Sequence, residues 1–442
     1  MNRTIFGTSD PVEILLHEMS TPYIRPGLSR IAALLGKMGH PERSFPVVHV
    51  VGTNGKGSVS AMIEAIFLDA GYSTCLYTSP HLSDITERLR FSGTPIDREL
   101  LIASLKRIGS LQGEGMDPGS RSTYFEVLTA AAFDAIATYS PDVAVIEAGM
   151  GGRLDATNMA RNVVLTVITT IGSDHAHFLG GTLEEIAMEK FRVLRPDGIS
   201  VFSGRPFCLE GAYLDLCRRI GNDGETLRSV KISDPTIALE GNTFDISIRG
   251  TDPFSVRTSL GGTFQVENAA LALLATKRLS SLYPRIDKKA MIGGLGKTRW
   301  SGRLERIDHH GREIVLDGAH NPEGIQALVE TFNIMGTAQD HAVVFAVMRD
   351  KDLGGMVSRI CNAFPMVVFT SIPGMERAAC PDFLQEISRS FPGNCESLSV
   401  NDPIDALQVA FRRYRKVVVC GSLYLSGYLK RFLFPDRQGG MG

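Results

Sequence analysis

The stretch VVHVVGTNGKGSVSAMIEAIFLDAG, Val47 to Gly71, decides the fold. Val47–Val51 is an apolar strand and GTNGKGS (Gly52–Ser58) a Gly-rich loop. In the segment that follows, Val59, Met62, Ile63, Ile66, Phe67 and Ala70 recur at three- and four-residue steps, the spacing of one buried helix face, and Gly71 stops the run. Strand, loop and helix in that order aim several backbone N–H groups and a helix dipole at one spot, which suits a phosphate. Lys56 is placed to neutralise phosphate charge there. The usual consensus is GxxxxGK[ST]; here Val50 stands where its first glycine belongs, so the working form is GxxGKGS. Ser58 falls where a metal-ligating hydroxyl would sit. The alternative is a Gly-rich turn carrying a surface lysine.

Outward from this unit, CLYT (Cys75–Thr78), VAVIE (Val143–Glu147) and VVLTVI (Val163–Ile168) are apolar without polar alternation, as strands covered on both faces should be. They predict an α/β first domain with a mostly parallel sheet. Between about Lys231 and Leu260, IALEGNTFDISIRG predicts two strands around the turn Glu240-Gly241-Asn242, and PFSVRTSL a third, giving a small antiparallel subsheet. GLGKTRWSGRLE (Gly294–Glu305) is rich in glycine and charge, holds the one tryptophan, and is the expected interdomain linker. Beyond it IVLD (Ile314–Asp317), AVVFAV (Ala342–Val347), MVVFT (Met366–Thr370) and VVVC (Val417–Cys420) alternate with helical segments, the pattern of a second, doubly wound, Rossmann-like domain. The expected division is residues 1–296 and 297–442, with the tail Arg437–Gly442 fraying.

The 442 residues are enough for two cores at roughly 100–200 residues each. A net charge of −2 supplies no field for a nucleic-acid backbone, so nucleic acid is not an expected partner. Seven scattered cysteines with no CxxC pair indicate neither a zinc site nor a disulfide framework, which fits a reducing cytoplasm. No apolar run reaches the roughly 18 residues that span a bilayer, and no export or anchoring segment is read.

Glu147 closes the VAVIE strand, where ligands bind in open α/β sheets, and is a candidate Mg2+ ligand. The next strand ends in TTIGSDHAHFLG, which puts Asp174, His175 and His177 at the same edge; His175 is either a metal ligand or a loop histidine bonding backbone. TLEEIAMEKFRVLRPDG opens with a capping box, Thr182 with Glu185. On that helix Lys190 shares the face of Leu183, Ile186, Ala187 and Leu194. It is either a buried amine with a depressed pKa or a lysine whose stem alone is buried.

Taken together these segments resemble the folylpolyglutamate synthase and dihydrofolate synthase family, the folate branch of the Mur ligases. The resemblance rests on HVVGTNGKGS (His49–Ser58), TSPHL (Thr78–Leu82), EAGMGGRLDATN (Glu147–Asn158), SDHAHFLG (Ser173–Gly180), IAMEK (Ile186–Lys190), WSGRLE (Trp300–Glu305), LDGAHNP (Leu316–Pro322) and GSLY (Gly421–Tyr424), in order across both domains. It implies a Mur-ligase-like fold, with residues 1–296 as the ATP-binding P-loop domain and 297–442 as a glutamate-ligase domain. ATP would be held by Thr53, Asn54, Gly55, Lys56, Gly57 and Ser58, and across the cleft by Asn268, Arg303 and Asp317. Ser79, Glu147 and His175 would hold Mg2+, with a second ion near a carbamylated Lys190. Pterin and pteroate would meet Gly27, Leu28, Ser29 and Arg30, then Thr123, Tyr124, Phe125 and Glu126, then Leu154, Asp155 and Ala156. Glutamate would be handled by His320 and Ser422, unless these only shape their turns.

Two positions depart from the family pattern: Phe191-Arg192-Val193 stands where Ala-Gly-Ile is usual, and Ser301 where proline is common. The implied reaction is ATP-dependent addition of L-glutamate to 7,8-dihydropteroate, tetrahydrofolate or both, through an acyl-phosphate, by a cytoplasmic monomer. Lys56, Lys190, His175 and His320 would carry the chemistry. Two rivals are a peptidoglycan-precursor ligase of the same superfamily and a P-loop switch that hydrolyses ATP without ligating anything.

Overall fold

The apolar runs become strands because each is covered on both faces. In the computed structural model, which describes residues 10–21, 23–112, 121–174 and 176–434, β1 (Val47–Val51) is buried at all positions. The same chain region supplies β2 (Thr74–Tyr77), β3 (Leu89–Phe91), β4 (Thr94–Pro95), β5 (Val143–Glu147), β6 (Val163–Ile168), β7 (Ile199–Phe202) and β8 (Asp223–Thr226). They form one sheet in the order β4-β3-β2-β5-β1-β6-β7-β8. From β2 to β8 neighbours pair in parallel, and the β3–β4 hairpin joins antiparallel at one edge. The expected tail at Arg437–Gly442 and His175 lie outside the described residues.

The Lys56–Asp69 helix differs from the single buried face expected of it. Ser58, Ser60, Ala61 and Glu64 are buried together with Val59, Met62, Ile63, Ile66 and Phe67, because helices Thr263–Leu279 and Lys288–Lys297 cover the side turned away from the sheet. Close approach explains the glycine at 294: a Cβ there would stand 2.5 Å from the Ile66 Cα. Gly294–Lys297 is therefore helix, and the connection between the sheets is only Thr298–Leu304, shorter than the expected linker.

A three-stranded antiparallel sheet, β9 (Val230–Thr236), β10 (Thr243–Ile248) and β11 (Phe254–Arg257), covers this helical layer. Its first strand precedes the expected one. IALEGN is a loop instead, tied down by buried Asn242, whose Nδ2 donates to the Gly262 carbonyl at 2.8 Å.

The second sheet comprises β12 (Glu305–His309), β13 (Arg312–Leu316), β14 (His341–Phe345), β15 (Met366–Phe369), β16 (Glu396–Ser399) and β17 (Lys416–Cys420), in the order β12-β13-β17-β14-β15-β16. All its pairings are parallel except that of β12. Each face carries its own apolar cluster, one around Phe332, Phe345 and Phe369 and one around Val344, Val368 and Val419. Full burial of side chains of this size stabilises by about 1.5–3 kcal/mol each. No helix among the described residues is long and apolar enough to cross a membrane.

Candidate active site

Parallel pairing brings four loops to one edge of the first sheet: the Gly-rich loop after β1, Ser79 after β2, Glu147 at the end of β5 and Asp174 after β6. The Gly-rich loop is held from below. Thr53 N–H donates to the Thr170 carbonyl at 2.7 Å, and its hydroxyl accepts from Gly172 N–H at 3.0 Å. Gly55 takes φ +85°, and a Cβ there would lie 2.5 Å from Asn268 Oδ1, so this position requires glycine twice over. Asn268 donates to Gln265 Oε1 at 3.0 Å, and Gln265 Nε2 donates to the Ser58 hydroxyl at 3.1 Å. Trp300 lies against Gly57, 2.9 Å from where a Cβ would stand, with the Arg90 guanidinium 4.7 Å from the centre of its ring system.

Two buried charges face this loop with little compensation. Lys190 is 3% exposed, and its Nζ donates to the Gly52 carbonyl at 2.8 Å. Burial, reinforced by Lys56, lowers its pKa to about 7 against the pull of Asp174, Asp155 and Glu189. The buried-amine alternative is thus the one the fold adopts. Burial likewise raises Glu147 to about 7, although Lys56, the Ser79 N–H at 3.4 Å and Arg303 favour its anion. Lys56 itself folds back onto the Thr53 carbonyl at 3.1 Å. Ser79 and Glu147 offer the hard oxygen donors that suit Mg2+, an ion that keeps several waters and takes one or two carboxylates besides phosphate. Of the predicted metal ligands, His175 is outside the described residues.

On the second sheet the predicted residues are already engaged by backbone. Asp317 accepts from Leu304 N–H at 3.0 Å and Ala319 N–H at 2.8 Å, with burial raising its pKa and Arg303 opposing the rise. Ser422 caps the Leu423–Leu433 helix, accepting from Tyr424 N–H at 3.1 Å. His320 Nδ1 lies 2.7 Å from the Gly318 carbonyl and its Nε2 3.5 Å from Asp174 Oδ2.

Beside the Gly-rich loop the two sheets are joined by polar contacts. Asn54 and Asn321 exchange amide hydrogen bonds at 3.0 and 3.3 Å, Ser173 N–H donates to Glu323 at 3.2 Å, and Lys351 Nζ lies 2.5 Å from Asp174 Oδ1. Asn321 and Lys351 escaped the sequence reading. Lys351 follows β14 at the carboxyl edge of its sheet, a placement the topological rule could have singled out.

Beside these contacts opens a cleft of about 1110 Å³. Gly27, Thr123, Tyr124, Phe125, Glu126, Leu154, Asp155 and Ala156 line it together with Ser79, His320 and Ser422, so three predicted substrate loops share one chamber. Leu28, Ser29 and Arg30 are not among its walls. Leu28 packs into the core, Ser29 opens the Ser29–Lys37 helix, and Arg30 makes a two-pronged pair with Glu126 at 3.0 Å on each arm. Glu126 in turn accepts from Thr123 N–H at 2.7 Å as a capping box, so this acid braces the wall. The two departures are accommodated: Phe191 packs edge-on to Phe202 and Ser301 accepts from Lys430 at 2.9 Å.

The Mur ligase middle domain matches residues 50–276, and the Mur ligase glutamate ligase domain matches residues 302–423. The dihydrofolate synthase/folylpolyglutamate synthase of Bacillus subtilis is 33% identical over 93% of this chain and 95% of its own length. The folylpolyglutamate synthase of Lacticaseibacillus casei is 31% identical over 92% and 95%. A solved structure of Mycobacterium tuberculosis folylpolyglutamate synthase complexed with ADP superposes with a TM-score of 0.86 at 31% identity, covering 96% of this chain and 98% of that one.

Proposed function

This chain belongs to the folylpolyglutamate synthase and dihydrofolate synthase family of Mur ligases, and from that premise we infer that it is an ATP-dependent ligase adding L-glutamate to 7,8-dihydropteroate, tetrahydrofolate or both. The observation that carries the reading is the meeting of the two sheets at the Gly-rich loop. Asn321 grips Asn54 while His320 and Lys351 converge on Asp174, which sets the second domain's loops beside both the phosphate site and the cleft.

A carboxylate is a poor electrophile, so its oxygen must first become part of a leaving group. The substrate carboxylate attacks the γ-phosphorus of ATP in line, ADP departs, and an acyl-phosphate remains. Lys56, freed from the Thr53 carbonyl, and Arg303 offset the charge that spreads over the phosphoryl oxygens. Ser79, Glu147 and His175 would hold Mg2+, which supplies further neutralisation of phosphate charge when bound; a second ion would lie near Lys190. At its depressed pKa the Lys190 amine is substantially free at neutral pH, so its nitrogen can add to CO2 with loss of one proton, turning an awkward buried cation into a carbamate anion.

The unprotonated amine of glutamate then attacks the acyl carbon and phosphate leaves. His320 and Ser422 are the candidates that orient glutamate, the latter at a helix N-terminus that favours a carboxylate. Asn268 and Asp317 support the nucleotide side by shaping Gly55 and Arg303. Closure of residues 1–296 on 297–442 would shield the acyl-phosphate from water. We take the enzyme to act as a cytoplasmic monomer.

The deciding measurement is glutamate-dependent ADP release from ATP and Mg2+ with 7,8-dihydropteroate and, in parallel, tetrahydrofolate. Turnover with one assigns the step and turnover with both makes the enzyme bifunctional. An absence of glutamate-dependent ADP release with both substrates would sink the reading.

A further inference from the structure

The turn that carries Ser79 runs on to a polar cluster that the mechanism above leaves unused. Arg88 lies in the cleft wall and is only 9% exposed. Its Nε donates to His81 Nδ1 at 2.9 Å, and its guanidinium stands 5.8 Å from the centre of the Tyr124 ring. An arginine Nε–H can only donate, so His81 Nδ1 presents its lone pair and the imidazole proton sits on Nε2. With Nδ1 accepting and Nε2 protonated, the His81 imidazole is neutral. It therefore aims Arg88 without neutralising it.

No carboxylate among the described residues lies within ion-pair reach of this guanidinium. Glu13 acts on it only at longer range, because both Glu13 oxygens accept from the Tyr124 hydroxyl at 3.0 Å and one faces His17 at 3.8 Å. The Nη groups of Arg88 make no hydrogen bond to a described residue. A nearly buried cation with an open fork calls for an anion, and the planar fork fits a carboxylate at two points. The cleft is what faces it.

We propose that Arg88, oriented by His81, binds the α-carboxylate of a glutamate-bearing folate and so sets the preference between the two substrates; this deepens the function inferred above and rests on it. Dihydropteroate has one carboxylate, and that one reacts. Tetrahydrofolate has two on its glutamate: the γ-carboxylate reacts and the α-carboxylate needs a counter-charge beside the reacting centre. Arg88 stands in the same wall as Ser79 to provide it.

The test compares kcat/KM for tetrahydrofolate, its α-carboxamide and dihydropteroate in the wild-type enzyme and in Arg88→Met. The ratio for tetrahydrofolate over dihydropteroate is expected to fall on the order of 30-fold in Arg88→Met, the size of a lost buried charge pair. This holds over and above any loss both substrates share. Wild type should lose a similar factor on the α-carboxamide, and Arg88→Met should barely distinguish acid from amide, as in a double-mutant cycle. Arg88→Lys should recover part of the ratio, and it replaces Arg88→Met if that variant fails to fold. Equal losses on both substrates, an unchanged ratio, or a wild type indifferent to the amide would overturn the proposal. So would a wild type active on dihydropteroate alone, which leaves the inferred function standing; an enzyme active on tetrahydrofolate alone is judged by acid against amide. An absence of glutamate-dependent ADP release with every one of these substrates would end the function itself.

Discussion

The carboxyl edges of the two sheets handle buried polar groups in opposite ways. At the first, Glu147 and Lys190 are buried with single backbone contacts, and both pKa values are driven to about 7 by desolvation. At the second, Asp317 accepts from the backbone N–H groups of Ala319 in its own turn and of Leu304 in the connection between the sheets, and Ser422 from Tyr424 in its own turn. A satisfied group fixes geometry, whereas an under-compensated one is poised to change partner when phosphate, metal or carbon dioxide arrives. Electrostatic tension thus concentrates at the first edge and shape at the second.

Substitutions can break this contrast. Glu147→Gln and Lys190→Met remove charge but retain most of the packed volume, so each should lower glutamate-dependent turnover by about a hundred- to a thousandfold. Their urea midpoints near pH 8 should match or exceed that of the wild type. A clear loss of stability in either would mean the first edge is as structural as the second. Asp317→Ala is the converse case. Two buried N–H groups lose their acceptor, and stability should drop by about 2–5 kcal/mol, measured by the same denaturation. A folded, fully stable Asp317→Ala enzyme that only binds ATP poorly would reverse the assignment.

Glu64 sharpens the comparison, since it is an under-compensated carboxylate on the phosphate-loop helix but away from the cleft. Burial raises its pKa to about 7, with Arg90 opposing. The folded state therefore holds a proton that the unfolded chain releases near pH 4.5, so this contribution is complete below pH 4.5 and is lost as pH rises to 7. Glu64→Gln should flatten that decline by about 2–3 kcal/mol in paired stability curves at pH 5 and 7.5. An unaltered slope would show that Arg90 already pairs fully with Glu64.

Much of this was legible in sequence, for identifiable reasons. Buried parallel strands such as Val143–Glu147 announce themselves by unbroken apolar runs, and Lys190 by its place in a helix stripe. Edge strands Asp223–Thr226 and Glu396–Ser399 are half-exposed and polar, so they carry no such signal. The Lys56–Asp69 helix read as one-sided because the second helical layer over it comes from residues more than 190 positions later. Asp317, Glu126 and Arg30 look like ligand-binding residues in sequence. Their backbone and side-chain partners are set by tertiary structure, which no spacing reveals.

Trp300 has a practical consequence. It is the chain's only tryptophan, its indole rests on Gly57 of the phosphate loop, and it sits in the short connection between the sheets. All indole emission from this protein therefore originates in the connection between the two sheets and against the Gly-rich loop, so a fluorimeter and unlabelled enzyme suffice to follow, in real time, any change in how that connection rests on the loop.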